Sequence, residues 1–240
     1  MLRRSRFYRD LPRRRILVVG VQSPRRPGSL DRIFAAMAQS RHEVVTEKKD
    51  IDGIGKLDNT NILIGRHDID TFDWIWMTDD DVVLPDNFTD DFVAMCEYAQ
   101  LKVAGPAHRV WSYWSHPVTR RQQGALARVT NYVEVGPVAA LHRDTFAEFL
   151  PLPSLKFGWG LDQAWPVIAD RHGWKIGIVD AAPLQHTSPI GVGYDLAGAV
   201  AEAEAYMAPY GIKTGEHVLG TRTVITTIDD DATPAGRTDG

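Results

Sequence analysis

Apolar residues along the chain fall into short runs divided by polar, turn-forming stretches, and the spacing within the runs switches between the periods of strand and helix. Ile16-Leu17-Val18-Val19-Gly20-Val21 is a β-branched run that gives way to Gln22-Ser23-Pro24-Arg25-Arg26-Pro27-Gly28, which predicts a core strand and its loop. From Gly28 or Ser29, the positions Leu30, Ile33, Phe34 and Met37 recur at helical spacing, and residues 42–46 return to a strand pattern. The opening is therefore β-α-β, the order that favours a parallel sheet. Phe88, Phe92, Met95, Cys96 and Ala99 mark one face of a further helix, and residues 103–106 and 129–135 read as strands. A short helix over 143–150, a helix from Asp162 to Gly173, a core strand over 175–180 and a last helix over 195–208 complete the pattern. With no repeat and no linker to split the chain, it predicts a single α/β domain, a mostly parallel central sheet flanked by helices.

One run ends unlike the others. Trp74-Ile75-Trp76-Met77-Thr78 opens straight into Asp79-Asp80-Asp81 and is stopped at Pro85. A continuous apolar run fits a strand buried on both faces, and ligands of open α/β sheets bind beyond the carboxyl ends of such strands. Three adjacent carboxylates repel one another, so gathering them there points to a cation or a proton to hold. Asp86, Asn87 and Thr89 follow, and an acidic turn capping the next helix reads the same stretch.

Charge and composition narrow the function classes. At 240 residues and net charge −4, the chain can bury its own core and is not composed as a nucleic-acid binder. Its single cysteine, Cys96, lies on a helical apolar stripe and reads as a small buried hydrophobe. No stretch approaches the roughly 18 apolar residues of a membrane-spanning helix, and no apolar leader opens the chain, so a soluble cytoplasmic protein is expected. Residues 1–14, rich in arginine, predict a mobile basic arm that reads as a solvated leader before the first strand or as a weak contact with an anionic membrane surface. Residues 15–215 form the expected domain, and 216–240 an acidic disordered tail.

The chain carries neither a Gly-x-Gly-x-x-Gly fingerprint nor a Gly-Lys-Ser/Thr phosphate loop. Gly53 and Gly55 instead precede Lys56 and Asn61 at a predicted helix start, a place suited to phosphate or a base edge and equally to an ordinary surface loop. Residues 107–126 mix His108, Arg109, Trp111, Tyr113, Trp114, His116, Arg120 and Arg121 without a period, and a loop so long and aromatic is expected to be functional. In Phe157-Gly158-Trp159-Gly160-Leu161-Asp162, Trp159 can offer a flat apolar face to a ligand or fill a tight corner. Asp162 can be a general base or the cap of the helix that Pro166 helps to start.

Taken in order, Thr78-Asp79-Asp80-Asp81, Gly158-Trp159-Gly160-Leu161-Asp162 and His186 resemble the GT-A glycosyltransferases. The closer likeness is to a largely uncharacterised plant and bacterial group with an Asp-x-Asp segment, a Trp-Gly-Leu-Asp segment, a Val-Val-Asp-like strand and a following histidine. The resemblance spans residues 50–190 and implies a single GT-A-like, Rossmann-like domain. The implied reaction is metal-dependent transfer of a sugar from a UDP- or GDP-linked donor to the hydroxyl of an unspecified acceptor. On that resemblance Asp81, Asp79 and His186 hold Mn²⁺ or Mg²⁺, the histidine being more at ease with Mn²⁺. Asp79, Asp80, Lys56, Asn61, Gln22 and Trp159 would meet the nucleotide sugar, and Asp162 would be the base of an inverting displacement. His116, Arg120 and Arg121 would meet an anionic group on the acceptor. Two other readings use the same residues: a Mg²⁺-dependent phosphoryl-transfer hydrolase with Asp79 as nucleophile and Asp81 as acid, and a non-catalytic nucleotide- or glycan-binding module of the same fold.

Overall fold

The computed structural model describes residues 2–189, 195–213, 218–229 and 231–234. In chain order its first half comprises α1 (Arg6–Asp10), β1 (Arg15–Gln22), α2 (Ser29–Ala38), β2 (Glu43–Asp50), α3 (Lys56–Ile64), β3 (Trp74–Thr78), β4 (Val82–Val83) and α4 (Phe88–Ala99). The second half comprises β5 (Leu101–His108), β6 (Ala127–Thr130), β7 (Val138–His142), α5 (Phe146–Phe149), α6 (Leu161–His172), β8 (Lys175–His186), α7 (Leu196–Met207) and β9 (Thr221–Ile225). The sheet order is β2-β1-β3-β7-β5-β8-β6-β9, with β4 paired to β8 off this path. All of these run in one direction except β7, β6 and β4, so the central sheet is mostly parallel, as the β-α-β opening predicts.

Period-two alternation explains the two-sided core. Ile16, Val18, Trp74 and Trp76 face Leu30 and Phe34 of α2 and Phe88 and Phe92 of α4. Leu17, Val19, Ile75 and Met77 face the other side, with Leu57 of α3 and Trp165 and Ile168 of α6. Helices on both faces are what make β3 a continuous apolar run. The β2 edge carries Glu43, Glu47, Lys48 and Lys49, charges that discourage pairing with another chain.

Three expectations change. Residues 2–14 are packed rather than mobile, with Leu2, Phe7 and Leu11 buried and Arg3 paired to Asp91 at 2.7 Å. The density of arginine obscured apolar anchors spaced four to five residues apart. The strand expected over 129–135 stops at Thr130, because the Asn131 side chain exchanges hydrogen bonds with the backbone at Val218 and Gly220 and turns the chain away. Part of the expected tail, residues 221–225, is β9 on the outer side of β6. Residues 216, 217, 230 and 235–240 of that tail lie outside the described residues. Among the described residues no helix is long and apolar enough to cross a membrane.

Candidate functional site

β4 is only two residues long, yet it sets the site. It pairs antiparallel with the far end of β8, Val82 opposite His186, and so turns the acidic stretch against the histidine. The Thr187 N–H and hydroxyl both donate to the Asp81 carbonyl at 2.9 Å, which locks that register. Asp79, Asp81 and His186 thereby offer ligand atoms that all lie within 4.8 Å of one another. His186 Nε2 stands 3.2 Å from Asp81 Oδ1. Burial opposes charge on His186, but the hydrogen bond and charge of Asp81, with the charge of Asp79, outweigh it and raise its pKa. Burial likewise opposes charge on Asp81, and His186, Ser188 and Arg26 together overcome it and hold the carboxyl below its usual range. Two carboxylates and an imidazole make a donor set that fits a divalent ion, and the nitrogen donor suits Mn²⁺ better than Mg²⁺.

Lys56, at the first position of α3, donates its ammonium to Asp79 Oδ1. The Asp79 N–H donates to the Pro137 carbonyl at 2.7 Å. This brings Gly136 so close that a Cβ there would stand 2.8 Å from Asp79 Oδ2 and 3.4 Å from Lys56 Nζ, inside normal contact for the carboxylate oxygen. Nothing in the sequence reading singled out Gly136 as part of the site, because its role depends on β7 lying beside β3.

Asp80 points to the loop after β1. Its Oδ2 accepts from Ser23 N at 2.6 Å and its Oδ1 from Arg26 Nη1 at 3.0 Å. Arg26 also lies 3.6 Å from Asp81 Oδ2 and donates to the Ser188 hydroxyl. Sequence patterning treated Arg26 as an ordinary loop residue. Gln22 and Asn61, both expected at the nucleotide, are braces. Gln22 donates to Asp50 Oδ1 at 3.2 Å and accepts from Leu30 N, and Asn61 exchanges two 2.8 Å bonds with the backbone of Leu152. Trp159 is half-buried and packs on Ala164, Ala203, Met207 and Ile212, where α6 meets α7.

Asp162 lies within the first turn of α6, and the cap is Gly160 in the left-handed conformation (φ 86°). A Cβ on Gly160 would meet Met207 and the backbone of Ala203 at 3.0–3.3 Å, so close packing and backbone sign both call for glycine there. The Asp162 carboxylate therefore does not serve as the N-cap. It accepts from the Tyr132 hydroxyl at 2.6 Å. Desolvation pushes this carboxyl up to about 6, against the opposing pull of the Tyr132 bond and with help from the negative charge of Glu134. Burial, then Asp162, drives the Tyr132 phenol well above its ordinary value, so it remains a donor.

His116 packs edge-on against Tyr132, ring centroids 4.8 Å apart, and burial lowers its pKa against the opposing charge of Glu134. Arg120 stacks over Trp114 at 5.5 Å, and Arg121 is exposed. The 107–126 loop is tied to β6 and β8 by hydrogen bonds. Buried Asp180 takes two bonds from Arg128 and one from Gln122 N, while Arg128 also donates to the carbonyls of Val118 and Arg120.

The two halves of the site are joined twice. Residues 132–136 run from the partner of Asp162 to the glycine against Asp79, a span of at most roughly 14 Å when fully extended. Glu134, in the middle, meets buried His108 at 3.1 Å; His108 meets Ser112, whose hydroxyl accepts from His186 N at 2.7 Å. Glu134 reads in the sequence as a strand residue and His108 only as one member of the 107–126 loop, and the fold places them between its halves.

No protein family and no curated protein matches the chain by sequence. Among solved structures, a mannosyltransferase from Pyrobaculum calidifontis in complex with GDP-Man and Mn²⁺ superimposes with a TM-score of 0.53 at 14% identity, over 81% of this chain and 65% of that one. TarS of S. aureus gives a TM-score of 0.53 at 12% identity, over 72% of this chain and 37% of that one. The chain thus spans less than two thirds of either structure, and at these identities the likeness is one of fold: a GT-A-like arrangement of a central, mostly parallel sheet between helices.

Proposed function

We propose that the protein is a metal-dependent glycosyltransferase that moves a sugar from a UDP- or GDP-linked donor to an acceptor hydroxyl with inversion. The observation that carries this reading is the convergence of Asp79, Asp81 and His186 at the carboxyl end of the central sheet, in a fold shared with a mannosyltransferase solved with GDP-Man and Mn²⁺. Those three residues would hold the ion, which would supply positive charge to offset that of the donor's diphosphate as it leaves.

The chain's own groups supply the rest. Lys56, beside Asp79, places a positive charge at the helix start where phosphate oxygens are favoured. Asp80 fixes the loop after β1 by holding Ser23 and Arg26, so that the loop borders the diphosphate. Asp162 takes the proton of the acceptor hydroxyl as that oxygen attacks the anomeric carbon from the side opposite the diphosphate. A carboxyl raised to about 6 suits that task, since it is ionised at pH 7 yet basic enough to accept a proton. Tyr132 orients it through the 2.6 Å hydrogen bond. His116, Arg120 and Arg121 border the acceptor side, His116 through its contact with Tyr132.

The test is transfer or slow hydrolysis of a panel of UDP- and GDP-sugars with Mn²⁺, with the product anomer read by NMR. The reading requires turnover that stops on chelation and an anomeric configuration opposite to the donor's; a retained configuration removes Asp162 from the role of base.

A further inference from the structure

Arg26, in the loop after β1, reaches the acidic end of β3, and its contacts are unequal. Nη1 stands 3.0 Å from Asp80 Oδ1 and 3.6 Å from Asp81 Oδ2, and Nη2 donates to Ser188. The side chains of Asp80 and Asp81 are 7% and 8% exposed, whereas that of Arg26 is 39% exposed. The carboxylates are therefore the fixed partners and the guanidinium is the one with a path to solvent.

Asp81 belongs to the set that converges with Asp79 and His186, while Asp80 does not. Arg26 and a divalent ion thus draw on the same Asp81 carboxylate, and two cations at one carboxylate repel each other. Asp80 has a separate use: its second oxygen holds Ser23 N at 2.6 Å, so the loop remains tethered even when Arg26 leaves Asp81. A planar guanidinium fork matches carboxylate and phosphate equally well, which lets one side chain serve both.

Resting on the donor-site reading above, we propose that Arg26 is an exchangeable counter-cation. It neutralises Asp81 in the metal-free protein, yields that carboxylate to the incoming ion, and turns to the diphosphate that arrives with it. Its presence opposes uptake of the ion alone and favours uptake of ion and nucleotide together. Since coupling between two ligands is reciprocal, each strengthens the binding of the other.

The experiment measures Mn²⁺ uptake by the full chain from the loss of the free-ion EPR signal, and UDP and GDP affinity in saturating Mn²⁺, for wild type, Arg26→Ala and Arg26→Gln. Both variants are expected to bind Mn²⁺ alone about 5-fold more tightly and to bind the nucleotide about 10-fold more weakly. Opposed shifts of this kind in two side chains of different size are not produced by general damage to the loop. Mn²⁺ affinity that is unchanged or lower in both variants overturns the exchange, as does unchanged nucleotide affinity, and either result leaves the donor site standing if wild type binds both ligands. A wild-type chain that binds neither ion nor nucleotide overturns the donor-site reading and the exchange with it.

Discussion

The acidic end of β3 and the corner around Asp162 are built on opposite principles. At β3, three contiguous carboxylates emerge from a fully buried strand, and a two-residue strand brings Asp79 and Asp81 to one histidine. At Asp162, a single carboxylate is surrounded by residues from distant parts of the chain: Tyr132 supplies its hydrogen bond, His116 packs on Tyr132, and Glu134 adds negative charge. The first is a site of compensated charge, where His186, Lys56 and Arg26 lie against the carboxylates. The second is a desolvated site, where one carboxyl is pushed toward neutral pH. Binding an anion with its metal needs the former, and moving a proton needs the latter.

Substitutions should separate the two. The largest effect is expected from Asp162→Asn, which removes the base but keeps the shape. Turnover should fall by about 10²–10⁴-fold while Mn²⁺-dependent nucleotide binding remains at wild-type strength. Loss of nucleotide binding in that variant would mean that the two regions are not distinct. Gly136→Ala should act in the reverse sense, since its methyl group crowds Asp79 Oδ2. A cost of about 1–3 kcal/mol for overpacking should appear as weaker Mn²⁺-dependent nucleotide binding, with the pH dependence of turnover unmoved.

A smaller effect, in pH rather than in rate, is expected at Tyr132. The base works as carboxylate, so turnover should be full above about pH 6 and fall as pH drops through that value. Because the Tyr132 bond lowers the Asp162 pKa, Tyr132→Phe should move this acidic limb to higher pH in a pH–rate profile. A limb that stays in place would deny Asp162 the proton transfer. The same raised pKa bears on stability with the opposite sign: the folded state holds its proton more tightly than the unfolded chain, whose carboxyl titrates near 3.8. That contribution is present at low pH and is lost as pH rises toward 6. The smallest effect is expected from Asn61→Ala, which removes a brace to Leu152. Urea unfolding should show a loss of about 1–3 kcal/mol for the unpaired backbone groups, with nucleotide binding unchanged.

How much of this was legible in the sequence follows from the same contrast. The acidic end was readable because its determinants are adjacent: an apolar run, three aspartates and a proline. His186 was readable only as the third member of an ordered set, and its contact with Asp81 depends on β8 running six residues beyond Asp180 to meet β4. Tyr132, Glu134 and Gly136 were read as part of a strand and its end. They become site residues because Asn131 diverts the backbone after Thr130 and carries the segment from Asp162 to Asp79. Lys56 and Asn61 looked alike as polar residues near a helix start. Only the packing of α3 against residue 152 sends one to Asp79 and the other to the backbone. The arginine-rich start was misread for a related reason: charge dominates its composition, while Leu2, Phe7 and Leu11 decide where it lies.

The central claim is that Asp79, Asp81 and His186 hold a divalent ion for a nucleoside diphosphate. Thermal unfolding of wild type and Asp81→Asn with UDP or GDP, each with and without Mn²⁺, tests it most directly, because a ligand bound only to the folded state raises its stability by about 2.7 kcal/mol at a hundredfold excess over Kd. The account predicts a rise in Tm for wild type with one of the nucleotides that requires Mn²⁺ and disappears in Asp81→Asn. A wild-type Tm that responds to neither nucleotide with Mn²⁺, or a full response in Asp81→Asn, would contradict it.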